Sequence, residues 1–321
     1  MSLVEVAADV GGTHARFALV QRTGDRLELR AFRKYLCAEF SGLGEIIERY
    51  GRETGCGIPS QLDLAIAGAV TDVEQLSANL PWAGALDRLE DDFPALRVSP
   101  LNDYHAVAVG TQHLAPSDST PLTEGTPEFG ALAVAMGVGT GLGAAIRSGY
   151  GDSLRVFPTE LGQTRLDAQT PWDLEVLSAL TRADGFVRLE QVLSGPGIAA
   201  TYQALQRVLG LAPHEIPPSG VVARASANDE VALATVQLVV RVLGNLLSNL
   251  AVTLKPTGGI FLSGGVTPHL ARFLRTAAFN DALYANERMR ARLREVPILV
   301  VERDDVGILG AAHSTNGIGE P

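Results

Sequence analysis

The sequence is poor in lysine and in cysteine. Lysine occurs only at Lys34 and Lys255, the net charge is −10, and no block of basic residues stands out. Binding to the phosphate backbone of nucleic acid depends on clustered positive charge, so we expect no nucleic-acid partner. Cys37 and Cys56 form no CxxC pair and have no histidine nearby. This favours reduced thiols in a cytosol over a disulfide framework or a zinc site.

A long unbroken apolar run is also missing. The longest uncharged stretch, 129–146, is interrupted by five glycines, and Glu5 and Asp9 lie within the first ten residues. We therefore expect neither a signal peptide nor a membrane-spanning segment, and we predict a cytoplasmic protein without a membrane partner. At 321 residues, with 46% hydrophobic and 19% charged residues, the chain is long and apolar enough for two compact domains.

Two common nucleotide-binding sequences are absent. A Walker A loop places a lysine after glycine, whereas Lys34 follows arginine and Lys255 follows leucine. Segment 139–144 has the glycine spacing of a dinucleotide fingerprint, but that fingerprint must open a helix. The residues between it and Ser148-Gly149 are too few for a helix. We therefore expect neither a P-loop nor a Rossmann site.

Three glycine-rich turns lie at the ends of apolar strands, at 9–13, 137–143 and 258–265. Glycine lets backbone N–H groups approach a phosphate closely, and Asp9 beside the first turn could hold Mg2+ directly or through water. A single such turn is better explained as a plain hairpin, whereas three together favour phosphate binding. Aligning Asp9 with Gly137 superposes strand, turn and return strand, which indicates an internal duplication in which only the first copy carries a carboxylate.

The remaining pattern predicts alternating strands and helices. Apolar strands at 62–67 and 97–101, with helix over 44–50, indicate an α/β domain up to about residue 112. Segment 114–129 is rich in Pro, Ser, Thr and Gly and is predicted to be a linker or surface loop. Asn228 or Asp229 should cap a long helix that ends near Leu254. A short apolar helix is expected over 307–313.

Several carboxylates are candidates for chemistry. Asp103 follows Asn102 at the end of a predicted strand, where α/β proteins place their sites. It could accept the proton of an alcohol that attacks a phosphoryl group; it could also serve as a helix N-cap, or do both. Glu160 and Glu190 could bind sugar hydroxyls, although from spacing alone a solvated surface position is the simpler interpretation. Glu160 lies in segment 157–163, which is predicted to be an irregular loop.

Taken in order, these segments resemble the bacterial glucokinase family of the hexokinase–actin–Hsp70 superfamily, and the likeness covers nearly the whole chain. Segment 9–16 resembles the first phosphate motif, usually DVGGTNAR, and 137–143 resembles the second. The other matching segments are Asn79-Leu80-Pro81-Trp82 (TNxxW), Asn102-Asp103 (IND), 190–197 (ERVLSGPG) and 262–266 (the adenosine motif).

The resemblance implies an α/β fold of the two-domain actin-like ATPase (ribonuclease H-like) class, with an interdomain cleft for ATP and sugar. It implies a small domain of residues 1–112 plus 305–321 and a large domain of residues 113–304. The implied reaction is ATP-dependent phosphorylation of a hexose, glucose to glucose 6-phosphate. A homodimer is a further expectation from the family.

The family's site residues map onto matching positions. By family role, Asp103 is the catalytic base and also binds sugar, and the other sugar ligands would be Asn79, Asn102, Glu160, Gln163 and Glu190. The ATP-binding residues would be Asp9, Gly11, Gly12, Thr13, Gly137, Gly139, Thr140, Gly141, Gly264 and Gly265. Asp9 would also serve Mg2+, directly or through water.

One segment departs from the family pattern. Where the family usually has PGEGGH, this chain has Pro158-Thr159-Glu160-Leu161-Gly162-Gln163, so two glycines and a sugar-contacting histidine are replaced. Glutamine can donate and accept hydrogen bonds but cannot match the charge or geometry of imidazole. The alternative to a glucose kinase is therefore a kinase with altered hexose specificity, or a non-catalytic sugar or nucleotide sensor.

Overall fold

The computed structural model describes residues 4–24, 26–68, 82, 85–181 and 185–314. The chain forms two compact units, unit 1 from residues 1–116, 150–158 and 303–321 and unit 2 from residues 117–149 and 159–302. The units differ from the domains expected from the sequence by a few residues at each boundary and by the placement of 150–158. The boundaries 1–112 with 305–321, and 113–304, stay a proposal.

The elements of the described residues are as follows. The strands are β1 (Glu5–Val10), β2 (His14–Thr23), β3 (Arg26–Leu36), β4 (Gln61–Ile66), β5 (Arg97–Asn102), β6 (Ser119–Pro121), β7 (Ala133–Val138), β8 (Leu142–Ser148), β9 (Arg155–Thr159), β10 (Gly259–Ser263) and β11 (Ile298–Val301). The helices are α1 (Leu43–Thr54), α2 (Ala85–Asp92), α3 (Asp103–Gly110), α4 (Pro171–Leu180), α5 (Gly195–Val208), α6 (Pro218–Ser226), α7 (Glu230–Leu254), α8 (Thr267–Leu270), α9 (Ala277–Leu283), α10 (Arg290–Glu295) and α11 (Val306–Ser314).

Unit 1 contains a sheet with the strand order β3-β2-β1-β4-β5, in which β1 is antiparallel to β2 and parallel to β4. Side chains of β1 alternate between the two faces. Val6 and Val10 pack with Ile46 of α1 on one face, whereas Ala7 packs with Ala106 of α3 and residues of α11 on the other. Both faces of the sheet are therefore covered by helices, as expected for an α/β domain.

Unit 2 repeats this arrangement. Its strands have the order β6-β11-β10-β7-β8, with β7 antiparallel to β8 and parallel to β10. The spacing matches as well: β1 ends at Val10 and β2 begins at His14, and β7 ends at Val138 and β8 begins at Leu142. These are the positions that coincide when Asp9 is aligned with Gly137. The strand order thus agrees with an internal duplication.

Helix α7 is the long helix predicted from the sequence, and its cap is Asp229, whose side chain accepts a hydrogen bond from the backbone N–H of Ala232 at 2.9 Å. It ends at Leu254, and the C-cap residue Lys255 adopts a left-handed conformation with φ 49°. By length and composition this helix could cross a membrane, but 61% of its most apolar window is buried. In unit 2 it acts as the core helix around which other helices pack.

Two expectations need correction. Segment 114–129 is more than a loop, because β6 pairs antiparallel with β11 at the edge of the sheet. Its Pro121 is tolerated there since an edge strand does not need every N–H. Strand β9 likewise extends to Thr159, so the part of the supposed irregular loop before Glu160 is a strand.

The ends of α3 and α11 meet in unit 1 at two histidines. The rings of His113 and His313 stack with centroids 3.5 Å apart and planes 4° apart. The guanidinium of Arg22 donates to the carbonyl of Ala312 beside them at 2.7 Å. Burial, together with the nearby charges of His113 and Arg22, lowers the pKa of His313 to about 4. The ring is therefore neutral in the folded protein at pH 7.

This pair makes unit 1 sensitive to acid. Because the unfolded chain binds a proton at His313 below pH 6.5 and the folded protein only near pH 4, stability falls as the pH drops from 6.5 towards 4. His313→Gln should reduce that loss by about 1–2 kcal/mol, a value that allows for solvent screening at the half-buried ring. Urea unfolding at pH 7 and pH 4.5 measures it. His269→Gln, at an exposed position in unit 2, is the control; equal acid losses in both variants would contradict the expectation.

Candidate functional site

The first glycine turn connects β1 and β2 and is held by Cys37. The backbone N–H of Cys37 donates to the carbonyl of Thr13 at 3.0 Å, and its thiol donates to the carbonyl of Gly11 at 3.4 Å. Burial raises the pKa of the Cys37 thiol to about 11, so it remains a donor at neutral pH. Hydrogen bonds from Cys37 thus fix both ends of the segment Gly11-Gly12-Thr13.

Asp9 lies at the end of β1 next to this turn. Its side chain is about one-fifth exposed, and the nearest cation, Nη1 of Arg16, lies 3.7 Å from its Oδ2. Burial raises the pKa of Asp9, which Arg16 partly offsets. A Cβ atom at Gly307 would lie 3.1 Å from the carboxylate, so glycine at that position keeps space open beside Asp9.

This environment fits Mg2+ held through a nucleotide. Mg2+ in such sites takes one or two protein carboxylates and completes its shell with phosphate oxygens and water. No cluster of three or more His, Cys, Asp or Glu side chains suited to a metal occurs among the described residues. Asp9, next to the first glycine turn, is a carboxylate of the described part of unit 1 that fits this kind of coordination.

Asn102 and Asp103 lie where β5 ends and α3 begins. Asn102 is the N-cap: its Oδ1 accepts the backbone N–H of His105 at 2.9 Å, and its Nδ2 donates to the carbonyl of Gly68 at 2.8 Å. Asp103 is the first helical residue, and its Oδ1 accepts the N–H of Tyr104 at 2.8 Å. The partial positive charge of a helix N-terminus favours an ionised carboxylate there. Asn102 therefore caps the helix, and the carboxylate of Asp103 lies at the helix N-terminus.

The TNxxW segment is described only in part. Asn79 lies outside the described residues. Trp82 is buried, and its Nε1 donates to the carbonyl of Phe40 at 2.9 Å.

In unit 2 the second and third glycine turns lie together. The N–H of Gly195, at the start of α5, donates to the carbonyl of Gly139 at 2.8 Å, and the N–H of Val266 donates to the carbonyl of Val138 at 2.9 Å. Gly264 has φ 92°, and a Cβ atom there would lie 2.5 Å from the Val138 carbonyl oxygen. The structure thus brings together the predicted residues Gly137, Gly139, Thr140, Gly141, Gly264 and Gly265.

Glu190 is tied to the second turn. Its Oε2 accepts the N–H of Leu142 at 2.9 Å, and its Oε1 accepts from the side-chain amide of Gln163 at 3.4 Å. A Cβ atom at Gly141 would lie 2.5 Å from Oε2. Glu190 is therefore partly buried, and both of its carboxylate oxygens accept hydrogen bonds. Glu160 is exposed and lies just before the turn that carries Gln163.

The replaced glycines of this segment cause no backbone strain. Neither Thr159 nor Leu161 has a positive φ. The Thr159 hydroxyl donates to the carbonyl of Ala144 at 3.0 Å, and Leu161 packs against the core of unit 2. Gly162 has been kept where a Cβ atom would overlap the carbonyl of Leu142. Leu161 and Glu160 also line a cavity of about 570 Å³ beside α7, which neither Gln163 nor Glu190 borders.

Sequence reasoning missed three residues that hold these turns. Cys37 fixes the first turn. The hydroxyl of Ser194 donates to the carbonyl of Glu190 and accepts from the N–H of Gly197, so it holds the segment from Glu190 to Gly197 together. Asp304 binds Arg16 across 288 positions of sequence. The Ser-Gly-Pro-Gly run gave a local signal for Ser194, since serine before proline commonly caps a helix. Cys37 and Asp304 act through distant contacts and had no such signal.

The family model and the curated relatives indicate one family, and solved structures share its fold. The model of the family described as Glucokinase matches residues 6–317. The glucokinase of Saccharophagus degradans is 30% identical over 309 residues, with 96% of each chain covered, and that of Chromohalobacter salexigens is 30% identical with 98% of each covered. Among solved structures, a glucokinase from an Antarctic psychrotroph is 26% identical with a TM-score of 0.78 and covers 98% of this chain and 99% of its own. A ROK family glucokinase from Streptomyces griseus in complex with glucose and AMPPNP is 19% identical with a TM-score of 0.62, covering 97% of this chain and 98% of its own.

Proposed function

The chain belongs to the glucokinase family and is a sugar kinase of the actin-like ATPase fold, and we propose that it transfers the γ-phosphoryl group of ATP to the C6 hydroxyl of glucose in the cytoplasm, with Mg2+ as the metal. The expectations of family, fold class and sugar-kinase activity from the sequence are confirmed. The observation that carries the specific reaction is the set of groups that both units retain and hold by hydrogen bonds: Asp103 and the first turn in unit 1, Glu190 and the second turn in unit 2.

The proposed chemistry assigns a role to each group. The Asp103 carboxylate accepts the proton of the attacking hydroxyl as the phosphoryl group arrives. The other sugar hydroxyls, each of which donates and accepts a hydrogen bond, are held by Asn79, Asn102, Glu160, Gln163 and Glu190. Backbone N–H groups of the glycine turns hold the nucleotide phosphates. Mg2+, held through Asp9 directly or by water, would neutralise phosphate charge.

The departure at Gln163 fits this assignment. Its amide already donates to Glu190 at 3.4 Å and keeps an oxygen that can accept from a sugar hydroxyl. A non-catalytic sensor would need no base such as Asp103 at the N-terminus of α3, and a pure sugar sensor would also need no phosphate turns. The retention of all three therefore supports a kinase over the sensor alternative.

A coupled assay tests the reaction. Glucose at millimolar concentration with ATP and Mg2+ should give turnover, and mannose, fructose, glucosamine and N-acetylglucosamine report specificity. ADP and polyphosphate in place of ATP identify the donor. No turnover with glucose would overturn the specific proposal. Activity with another hexose would then indicate altered specificity, and sugar binding by calorimetry without product would indicate a sensor. We also propose a homodimer, which light scattering tests.

Glu190→Gln should raise the KM for the sugar by about ten- to a hundredfold. A glutamine has one acceptor oxygen and cannot accept from both Leu142 and Gln163 as the carboxylate does. Hydrogen bonds to charged groups contribute about 1.5–3 kcal/mol, which gives this range. Steady-state kinetics against sugar and ATP measure it, with Glu175→Gln on the exposed face of α4 as the control. A sugar KM within twofold of the wild-type value would contradict the role of Glu190.

A further inference from the structure

A row of charged side chains crosses three strands of unit 1 behind the first glycine turn. In register, Asp9 of β1 pairs with Arg16 of β2, and Arg16 pairs with Lys34 of β3. Two cations directly opposite each other repel. Asp304, which precedes α11, lies between them: its Oδ1 accepts from Nε and Nη2 of Arg16 at 3.2 and 3.0 Å, and its Oδ2 accepts from Nζ of Lys34 at 2.7 Å.

The contacts of Arg16 are unequal. Two of its N–H groups bind Asp304 within hydrogen-bonding distance, whereas its Nη1 is 3.7 Å from Asp9, too far for a hydrogen bond. The Arg16 side chain is largely buried, with 14% of it exposed, while Asp304 is half exposed. The Arg16 guanidinium is therefore hydrogen-bonded to Asp304 and forms no hydrogen bond to the Asp9 carboxylate.

We propose that Asp304 is a positioning residue that holds Arg16 away from Asp9, so that the Asp9 carboxylate stays open to the divalent cation of the nucleotide. This inference rests on the proposed function, in which Asp9 serves Mg2+. Without the Asp304 charge, repulsion from Lys34 drives Arg16 towards Asp9. A guanidinium that forms two hydrogen bonds to a carboxylate occupies the oxygens that a cation would use.

The test measures cation binding directly. Mn2+ replaces Mg2+ and is titrated by electron paramagnetic resonance in the presence of AMPPNP and glucose. Asp304→Asn should weaken Mn2+ binding by about tenfold, the scale of one charged hydrogen-bonding contact. Adding Arg16→Gln to Asp304→Asn removes the competing guanidinium and should restore binding to within threefold of wild type. In kinetics, the half-saturating Mg2+ concentration should rise for Asp304→Asn while the KM for sugar does not.

Asp305→Asn is the matched control, since it removes a charge one residue away that pairs with Arg303 and not with Arg16. It should leave Mn2+ affinity at the wild-type value. Thermal unfolding of all variants reports any loss of structure. Wild-type Mn2+ affinity in Asp304→Asn, or no recovery in the double variant, would overturn the proposal.

The outcome is separable from that of the proposed function. If the wild-type protein turns over no sugar and Asp304→Asn still weakens Mn2+ binding, the reaction assignment fails and the positioning role stands. If glucose is phosphorylated and the variant binds Mn2+ normally, the positioning role fails alone.

Discussion

Asp103→Asn should lower kcat by a factor of about 10²–10⁴, while the affinity for the sugar changes by less than about threefold. A positioned general base contributes this range to proton transfer, and an amide cannot take up the proton. The substitution preserves the fold, because an amide oxygen can still accept the N–H of Tyr104 as Oδ1 of Asp103 does. Asn102 continues to cap α3. The loss is therefore expected in the chemical step and not in binding.

Kinetics and calorimetry together check this expectation. The coupled assay gives kcat, and titration with sugar gives the dissociation constant of the variant. Asp152→Asn, at an exposed position of unit 1, is the control and should behave as wild type. A turnover within tenfold of wild type in Asp103→Asn would exclude Asp103 as the base. A comparable loss of sugar affinity would instead indicate that Asp103 acts mainly in binding.

The parts of the fold that the sequence predicts are those with a local pattern. The hairpin at Asp9, the cap at Asp229 and helix α11 follow from glycine turns, capping chemistry and apolar periodicity. Strand β3 has a weaker pattern, because charged and apolar residues alternate only from Arg26 to Arg30 and three consecutive exposed residues, 32–34, interrupt the alternation. Charged residues on a strand at the edge of a sheet discourage pairing with other chains. The same charged residues weaken the alternating apolar pattern by which a strand is predicted from sequence.

The candidate site residues likewise fall into two groups, those with a local sequence signal and those held by contacts distant in sequence. The glycine turns and Asn102-Asp103 carry their own local signal, and the structure shows how each is held. The role of Glu190 came from the resemblance, because its hydrogen bond to Leu142 spans 48 positions. Asp304 could not be found from sequence, because its partners Arg16 and Lys34 meet it only after the C-terminal segment folds back onto the sheet. Such contacts follow from topology and not from spacing.

Gly310→Ala should destabilise unit 1 by roughly 3 kcal/mol. A Cβ atom at Gly310 would overlap the carbonyl oxygen of Ala106 and lie 2.8 Å from the amide nitrogen of Gly110. Both are backbone atoms, so no rotamer change relieves the clash and helices α3 and α11 must separate. Overpacking of this kind costs about 1–3 kcal/mol, and the upper end applies where backbone meets backbone.

The two tryptophans allow unit 1 to be followed by itself. Trp82 is buried in unit 1 and Trp172 is partly exposed on α4 of unit 2, so in a Trp172→Phe background fluorescence reports unit 1 alone during urea unfolding. Gly42→Ala is the control, because a Cβ atom there meets nothing within 4 Å and its φ is 179°; it should change stability by less than about 1 kcal/mol.

Since α3 begins at Asp103, movement of this helix also displaces the proposed base. Glucose turnover of Gly310→Ala should therefore fall even under conditions in which unit 1 is still folded. Full activity together with wild-type stability would contradict the expectation, because it would show that α3 and α11 can accommodate the added methyl group.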